Sequence, residues 1–129
     1  MEEYLLKLKF LGAAKTVTGS FFVVDNGTSC FGIDCGLFQG PKDIKERNYK
    51  EFPLEPSELD FLILTRAHID HIGLVPKLVT HGFKGPIYCS HATEELAGAL
   101  LPDSGYIQES EVKRKNRKYK RAGKALIEP

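Results

Sequence analysis

The sequence predicts an α/β fold, of the α+β type, in which helices cover one face of a mixed β-sheet. Two observations support this prediction. The N-terminal quarter holds short apolar runs separated by turn residues, which is typical of antiparallel strands. The rest of the chain alternates apolar runs with segments of helical periodicity, as expected when helices connect strands. With 129 residues the chain is predicted to form one domain.

Three strands are predicted first. Tyr4 to Leu11 alternates apolar side chains with lysines, which predicts a half-buried strand. Ser20 to Asp25 and Ser29 to Asp34 follow, and Asn26-Gly27 between them is a strong hairpin signal, because both residues tolerate positive φ. These strands form an antiparallel meander.

A long polar connection, Gly36 to Pro56, precedes the second half of the fold. One short turn of helix is expected at residues 56–60. The continuous apolar run from Phe61 to Thr65 predicts a strand that is covered on both faces.

Two helices and one more strand complete the prediction. Ile72 to Thr80 has the apolar spacing of a helix, with Pro76 in its first turn. Ile87 to Ser90 is the strand. A second helix begins after Ser90 or Thr93, and Pro102 is expected to break or restart it.

Composition limits the class of protein. The formal net charge of +1 argues against nonspecific nucleic-acid binding by the whole surface. Cys30, Cys35 and Cys89 form no CxxC pair, which favours reduced thiols and a cytoplasmic location. No apolar run approaches the roughly 20 residues that a membrane span needs, so no membrane association is expected.

The segment from Thr65 to His71 is the strongest candidate for a functional site. His68, Asp70 and His71 fall within four positions after an apolar strand, and imidazole and carboxylate are the usual ligands of zinc-type ions. A further His two residues before His68 would complete the spacing His-x-His-x-Asp-His. Arg66 stands there instead, and a guanidinium has no lone pair for a metal, although it could pair with Asp70.

Other polar residues have simpler interpretations. Asp34, at a strand end, is expected to bond backbone amides, and His81 and His91 are expected to be surface or capping residues. Residues 113–124 hold eight Lys or Arg and no acid, which predicts either a solvated helix face or tail or an RNA contact. The candidates for RNA contact are Lys113, Arg114, Lys115, Arg117 and Lys118.

Five motifs occur in an order that resembles one known family: LGAAKTVTGS, IDCGLFQG, TRAHIDHIGLVPKL, GPIYCS and LLPDSGYIQE. From about Leu8 to Gln108 the chain resembles metallo-β-lactamase-fold proteins of the β-CASP group. These are RNA-processing nucleases, and they include the endonuclease of the cleavage and polyadenylation machinery. The fold that this resemblance implies is an αββα sandwich, of which this chain supplies about the first half.

The resemblance also implies a site for two zinc ions, which activate a water for in-line displacement at phosphorus. His68, Asp70 and His71 match metal-ligand positions, and Asp70 also matches the residue that accepts the proton of the water. Asp34 matches the acid that braces the metal loop.

Three departures from the family pattern argue against catalysis by this chain alone. Arg66 occupies the first ligand position, Lys15 replaces a small residue, and the chain ends at Pro129, before the later ligands. The interpretation is a single truncated domain over residues 1–129, with zinc absent or bound as one weakly held ion.

Two functions therefore remain open: an inactive remnant, or an endoribonuclease half that another chain completes. A small self-associating module is a further form of the first. Because half a sandwich leaves one sheet face uncovered, the sequence predicts a homodimer in which the two sheets cover each other.

Overall fold

The computed structural model describes residues 6–13 and 16–123. Within these residues five strands form one sheet in the order β1-β2-β3-β4-β5. β1 to β3 are antiparallel neighbours, whereas β4 runs parallel to β3 and β5 runs parallel to β4. The strands are β1 (Lys7–Gly12), β2 (Phe21–Asp25), β3 (Cys30–Ile33), β4 (Phe61–Ile63) and β5 (Ile87–Tyr88). The predicted mixed sheet is confirmed.

The turn between β2 and β3 forms as its sequence predicts. The side-chain oxygen of Asn26 accepts hydrogen bonds from the backbone N–H groups of Thr28 and Ser29, at 3.0 and 2.7 Å. Gly27 has a φ of 90°, which other residues rarely adopt. This turn sets the register of the central hairpin.

Four α-helices lie in the described residues: α1 (Lys42–Lys45), α2 (Ile69–Ile72), α3 (Val75–Thr80) and α4 (His91–Ala122). Short 3-10 helices occupy Glu46–Tyr49 and Pro56–Glu58, the second where one helical turn was predicted. The prediction of one helix from Ile72 to Thr80 is wrong. Helix α2 begins three residues earlier, and the helical run is interrupted because the N–H of Leu74 donates to the carbonyl of Cys35 at 2.9 Å.

Helix α4 contradicts a second prediction. Ser90 caps it, since the Ser90 hydroxyl accepts a hydrogen bond from the Thr93 N–H at 3.2 Å, but Pro102 does not break it. A proline inside a helix removes one hydrogen bond, here to the carbonyl of Gly98. Gly98 and Pro102 are both exposed, so water can satisfy that carbonyl. This exposure lowers the cost of the proline inside α4, which runs to Ala122.

The core lies between the sheet and the helices. Phe21, Val23 and Leu62 project from the strands into it, and Ile72 and Leu78 come from α2 and α3. Full burial of each such side chain contributes about 1.5–3 kcal/mol. The remaining core residues are Cys35, Leu37, Leu59, Leu64, Ala67, Leu74, Val75, Phe83 and Ala97.

The opposite face of the sheet is not covered by the described residues. Leu62 is fully buried, but its neighbours Phe61 and Ile63 are only partly buried, so the prediction that this strand is covered on both faces is wrong. The predicted half-burial of the first strand is also wrong: Leu8 and Phe10 are 52% and 60% exposed. A continuous apolar run does not reveal whether the chain itself supplies a cover.

Lys77 on α3 holds the long connection against the core. Its ammonium donates to the carbonyls of Asn48, at 2.9 Å, and Lys50. It also lies 4.9 Å from the ring centre of Phe52. Burial lowers the pKa of Lys77. The long polar connection that the sequence predicts is therefore held to α3 by these contacts with Asn48, Lys50 and Phe52.

The cysteines and the helices add two observations. All three cysteines are free, and burial raises the pKa of the Cys35 thiol. None of the helices in the described part of the chain combines the length and apolarity that crossing a membrane requires.

Candidate metal centre

The candidate site is a loop and a short helix at the carboxyl end of β4. The chain leaves the strand after Ile63 and enters α2 at His68, the N-cap residue, so that Asp70 and His71 lie in α2. The carboxyl end of a parallel strand is a common place for ligand-binding residues in α/β sheets.

Backbone hydrogen bonds hold α2 against the segment that follows β3. The N–H of Cys35 donates to the carbonyl of His71 at 2.8 Å, and the N–H of Leu37 donates to that of Ile69 at 2.9 Å. The N–H of Ser20 donates to the carbonyl of Asp70 at 3.0 Å. Both candidate ligands in α2 therefore have their main chain fixed by neighbouring segments.

Gly36 makes this close approach possible. A Cβ at this position would lie 1.7 Å from the carbonyl oxygen of Asp70, which is far inside van der Waals contact. Only glycine allows the two backbones to lie side by side here. The sequence analysis did not assign Gly36 this role, although its position two residues after Asp34 was a usable signal.

Asp34 connects the loop to the sheet. Its side chain is almost fully buried, and its carboxylate accepts hydrogen bonds from the N–H and hydroxyl of Thr65, at 2.8 and 2.6 Å. The same carboxylate accepts from Nδ1 of His71 at 2.8 Å. Asp34 adopts a φ of 60°, which Asp tolerates better than most residues. Thr65 is a second participant that the sequence analysis missed.

The hydrogen bond from His71 to Asp34 fixes the tautomer of the imidazole. A carboxylate only accepts hydrogen bonds, so Nδ1 carries a proton, and in the neutral imidazole Nε2 keeps its lone pair. This carboxylate–histidine arrangement orients many metal-bound histidines. Nε2 of His71 lies 3.6 Å from a carboxylate oxygen of Asp70, and the two side chains are 16% and 27% exposed. This imidazole nitrogen and this carboxylate oxygen are close enough to bind the same metal ion.

His68 and Arg66 do not join this pair. Both are exposed, and among the described residues Arg66 forms no ion pair, so the pairing with Asp70 that its guanidinium could make is absent. Within residues 6–13 and 16–123 no three His, Cys, Asp or Glu side chains are grouped closely enough to hold a metal ion. A catalytic zinc normally has three protein ligands. The described residues therefore fit part of a zinc site and not a complete one.

The other candidates lie elsewhere. Nδ1 of His81 is 2.8 Å from the carbonyl of Lys77, at the end of α3. His91, at the start of α4, is exposed beside two glutamates of the same helix. The candidate RNA contacts all lie on α4: Lys113, Arg114, Arg117 and Lys118 are exposed, and the ammonium of Lys115 lies 4.4 Å from the ring centre of Tyr49. Lys15 and the end of the basic segment, Lys124, lie outside the described residues.

A model of the metallo-beta-lactamase superfamily matches residues 15–122. This chain belongs to the metallo-β-lactamase superfamily. The predicted family and the predicted fold class are thereby confirmed, and metal ions such as zinc are general ligands of this superfamily.

Three relatives show where in the metallo-β-lactamase superfamily the chain lies. It is 42% identical over 93 residues to Ribonuclease TTHA0252 of Thermus thermophilus, covering 72% of this chain and 21% of that protein. Transcription termination factor FttA of Methanocaldococcus jannaschii is 35% identical over 103 residues, covering 78% and 16%. Cleavage and polyadenylation specificity factor 73 of Drosophila melanogaster is 31% identical over 112 residues, covering 86% and 16%.

These relatives support the placement with β-CASP RNA-processing nucleases that the motifs predicted. The chain spans about a fifth of the length of the relatives it matches, or less. The match alone therefore does not show that this chain has the activity of the full-length relatives.

Proposed function

We propose that this chain carries one part of the metal site of an RNA-hydrolysing metallo-β-lactamase-fold enzyme, and that the 129-residue polypeptide alone does not cleave RNA. The observation that carries this proposal is the donor set. Asp70 and His71 converge, His68 and Arg66 lie apart from them, and no third donor is grouped with the pair among the described residues. Two ligands bind zinc weakly at best.

The part of the site that is present is well ordered. Asp34 holds the imidazole of His71 in the tautomer that a metal ligand needs, and backbone hydrogen bonds fix α2. This organisation supports the alternative function: residues from elsewhere, in the same or another polypeptide, complete the ligand set and restore hydrolysis. Arg66 opposes that alternative, because it places a cation at the position that matches the first ligand.

RNA is the proposed substrate of the completed enzyme. One relative is named a ribonuclease and another a cleavage and polyadenylation specificity factor. Seven Lys or Arg residues between Lys113 and Arg121 supply positive charge that phosphates can neutralise.

The experiment measures bound zinc and RNA cleavage together. The purified chain is dialysed against zinc, and bound metal is measured by mass spectrometry and titration calorimetry. Cleavage of labelled single-stranded RNA is followed in parallel. Three variants are compared with the wild type: Arg66→His restores the family spacing, His71→Ala removes a donor, and Lys84→His adds a histidine at an exposed position away from the loop.

The wild type is expected to retain less than one equivalent of zinc and to leave RNA intact. Arg66→His should tighten zinc binding roughly tenfold or more by adding a ligand, whereas Lys84→His should not. Cleavage should remain absent in all variants. Two zinc equivalents in the wild type, together with RNA cleavage that His71→Ala abolishes, would show that the chain is an active enzyme and contradict the proposal.

A further inference from the structure

Thr65 contacts both carboxylate oxygens of Asp34. Its backbone N–H donates to Oδ1 at 2.8 Å, and its hydroxyl donates to Oδ2 at 2.6 Å. The second distance is that of a charge-assisted hydrogen bond between a hydroxyl and a carboxylate. Because the two contacts reach different oxygens, together they fix the plane of the carboxylate, which a single contact would leave free to turn.

The hydroxyl of Thr65 and the imidazole of His71 share one of these oxygens. Nδ1 of His71 lies 2.8 Å from Oδ2 of Asp34, the atom that also accepts from the hydroxyl. A carboxylate oxygen offers two lone-pair positions, so the hydroxyl occupies one of them and leaves the other for Nδ1. The direction from which Oδ2 accepts the imidazole proton therefore depends on where Thr65 places its hydroxyl.

The backbone around Asp34 is fixed by other contacts. The N–H of Asp34 donates to the carbonyl of Ile63 at 2.8 Å, and the N–H of Cys35 donates to the carbonyl of His71 at 2.8 Å. These bonds hold the main chain but leave the rotation of the carboxylate about its last torsion undetermined, and that torsion has only weak intrinsic preferences in aspartate. Thr65 supplies the contacts that restrict it.

Burial separates a positioning role for Thr65 from a packing role. Asp34 is 2% exposed, whereas Thr65 is exposed and does not belong to the hydrophobic core. Replacing the hydroxyl of Thr65 by a methyl group therefore removes no core contact. Oδ2 of Asp34 would keep His71 as a partner and would not be left buried without a hydrogen bond. Loss of the hydroxyl should thus change the orientation of the carboxylate more than the stability of the fold.

We propose that Thr65 is a positioning residue for His71. Its hydroxyl and N–H hold the Asp34 carboxylate in the plane from which Oδ2 accepts the Nδ1 proton, and this directs Nε2 of His71 toward the carboxylate of Asp70, 3.6 Å away. The use of Nε2 as a metal ligand rests on the proposed function. The positioning of the imidazole does not, because it is a property of the metal-free chain.

Nuclear magnetic resonance of the metal-free, ¹⁵N-labelled chain tests the proposal. Long-range ¹H–¹⁵N correlation at a pH high enough to keep the imidazole neutral gives the tautomer of His71, and the exchange of its Nδ1 proton with water is measured in the same sample. His71→Ala identifies the signals. Thr65→Val removes the hydroxyl at nearly constant size, and Thr65→Ser keeps it. Thr80→Val is the matched control, since the exposed Thr80 donates its hydroxyl to the carbonyl of Pro76 in α3.

The wild type is expected to carry the proton on Nδ1 of His71. In Thr65→Val the Nδ1 proton should exchange roughly fivefold faster or more, because one hydrogen bond that holds its acceptor is lost. The two imidazole ¹⁵N shifts should also move closer together, since the ring samples both tautomers. Thr65→Ser should restore the wild-type values, and Thr80→Val should not change them.

Circular dichroism of each variant establishes that the fold is retained, and Thr65→Ala replaces Thr65→Val if the latter does not fold. Wild-type exchange and shifts in Thr65→Val would overturn the proposal. Equal changes in Thr65→Val and Thr65→Ser would also overturn it, because they would assign the effect to the methyl group of Thr65. A failure of the chain to bind zinc would contradict the proposed function and leave these measurements unaffected.

Discussion

Asp34 is the residue on which the geometry of the loop depends most. One buried carboxylate joins the end of β3 to Thr65 and to His71, two residues that are 31 and 37 positions away in the chain. All the hydrogen bonds given for its carboxylate are accepted from residues of the segment from Thr65 to His71. A change at this residue therefore affects both stability and the chemistry of the imidazole.

The substitution Asp34→Asn tests this dual role. The oxygen of the new amide can still accept from the N–H of Thr65, but its N–H₂ group would face Nδ1 of His71, which then becomes an acceptor and leaves the proton on Nε2. We expect a loss of about 1–3 kcal/mol in the free energy of unfolding, because a charge-assisted hydrogen bond is removed. Urea unfolding measures the stability, and imidazole ¹⁵N shifts measure the tautomer.

Asp43→Asn is the control, since Asp43 is exposed on α1. It should change the free energy of unfolding by less than about 0.5 kcal/mol. If Asp34→Asn leaves both the unfolding free energy and the tautomer of His71 unchanged, Asp34 does not position the imidazole.

Replacing glycine by alanine is expected to have opposite effects on stability at two positions, Gly36 and Gly98. Gly36→Ala forces a Cβ onto the carbonyl of Asp70, whereas a Cβ at Gly98 in α4 meets no atom within 4 Å. We expect Gly36→Ala to destabilise the fold by at least about 1–3 kcal/mol, as overpacking does. Gly98→Ala should stabilise it by about 0.5–1 kcal/mol, because alanine loses less backbone entropy in a helix.

Thermal unfolding of both variants measures these changes. Equal stability of the two variants would show that the backbone of residues 34–37 and that of α2 are not in the close contact described above.

At the scale of elements, helix α4 carries the charge that is available for RNA. Lys113, Arg117 and Lys120 repeat at a spacing of three to four residues, which places them on one face of the helix. No acid occurs between Lys113 and Arg121. The RNA contact predicted for this segment remains a proposal, and the placement of these cations on one helix face is what supports it.

Neutralising two of these cations measures their contribution. In Lys113→Gln/Arg117→Gln, the affinity for single-stranded RNA should fall, and the slope of log K against log salt should decrease by about 1.4. Fluorescence anisotropy of labelled RNA at several salt concentrations gives both values. Lys42→Gln/Lys45→Gln removes the same charge from α1 and should change neither by as much. Equal effects of the two double variants would point to overall charge and not to α4.

At the scale of the whole molecule, sequence periodicity and turn chemistry predicted the five strands that the described residues form and their mixed arrangement. These signals did not predict the bounds of the helices, because tertiary contacts determine where the helices begin and end. The split between α2 and α3 depends on a hydrogen bond from Leu74 to Cys35, a residue far away in sequence. Pro102 lies inside α4 at an exposed position, and local propensity does not encode exposure.

The candidate site shows the same limit. The spacing of His68, Asp70 and His71 located the loop, and the family resemblance suggested its connection to Asp34. Neither indicated that His68 lies exposed while Asp70 and His71 converge, because that separation depends on where α2 begins. The roles of Thr65 and Gly36 follow from the close approach of two backbones, which only the folded chain reveals.

The two edges of the sheet have a consequence for how far association can proceed. An exposed strand edge can recruit further strands and seed fibres. Here β5 has only two residues and follows Pro86, and β1 carries Lys7 and Lys9, which would repel the same lysines of an adjoining β1. Growth from edge to edge is therefore disfavoured, while the apolar face stays available. The edge strands of the described sheet therefore oppose polymerisation through edge-to-edge pairing.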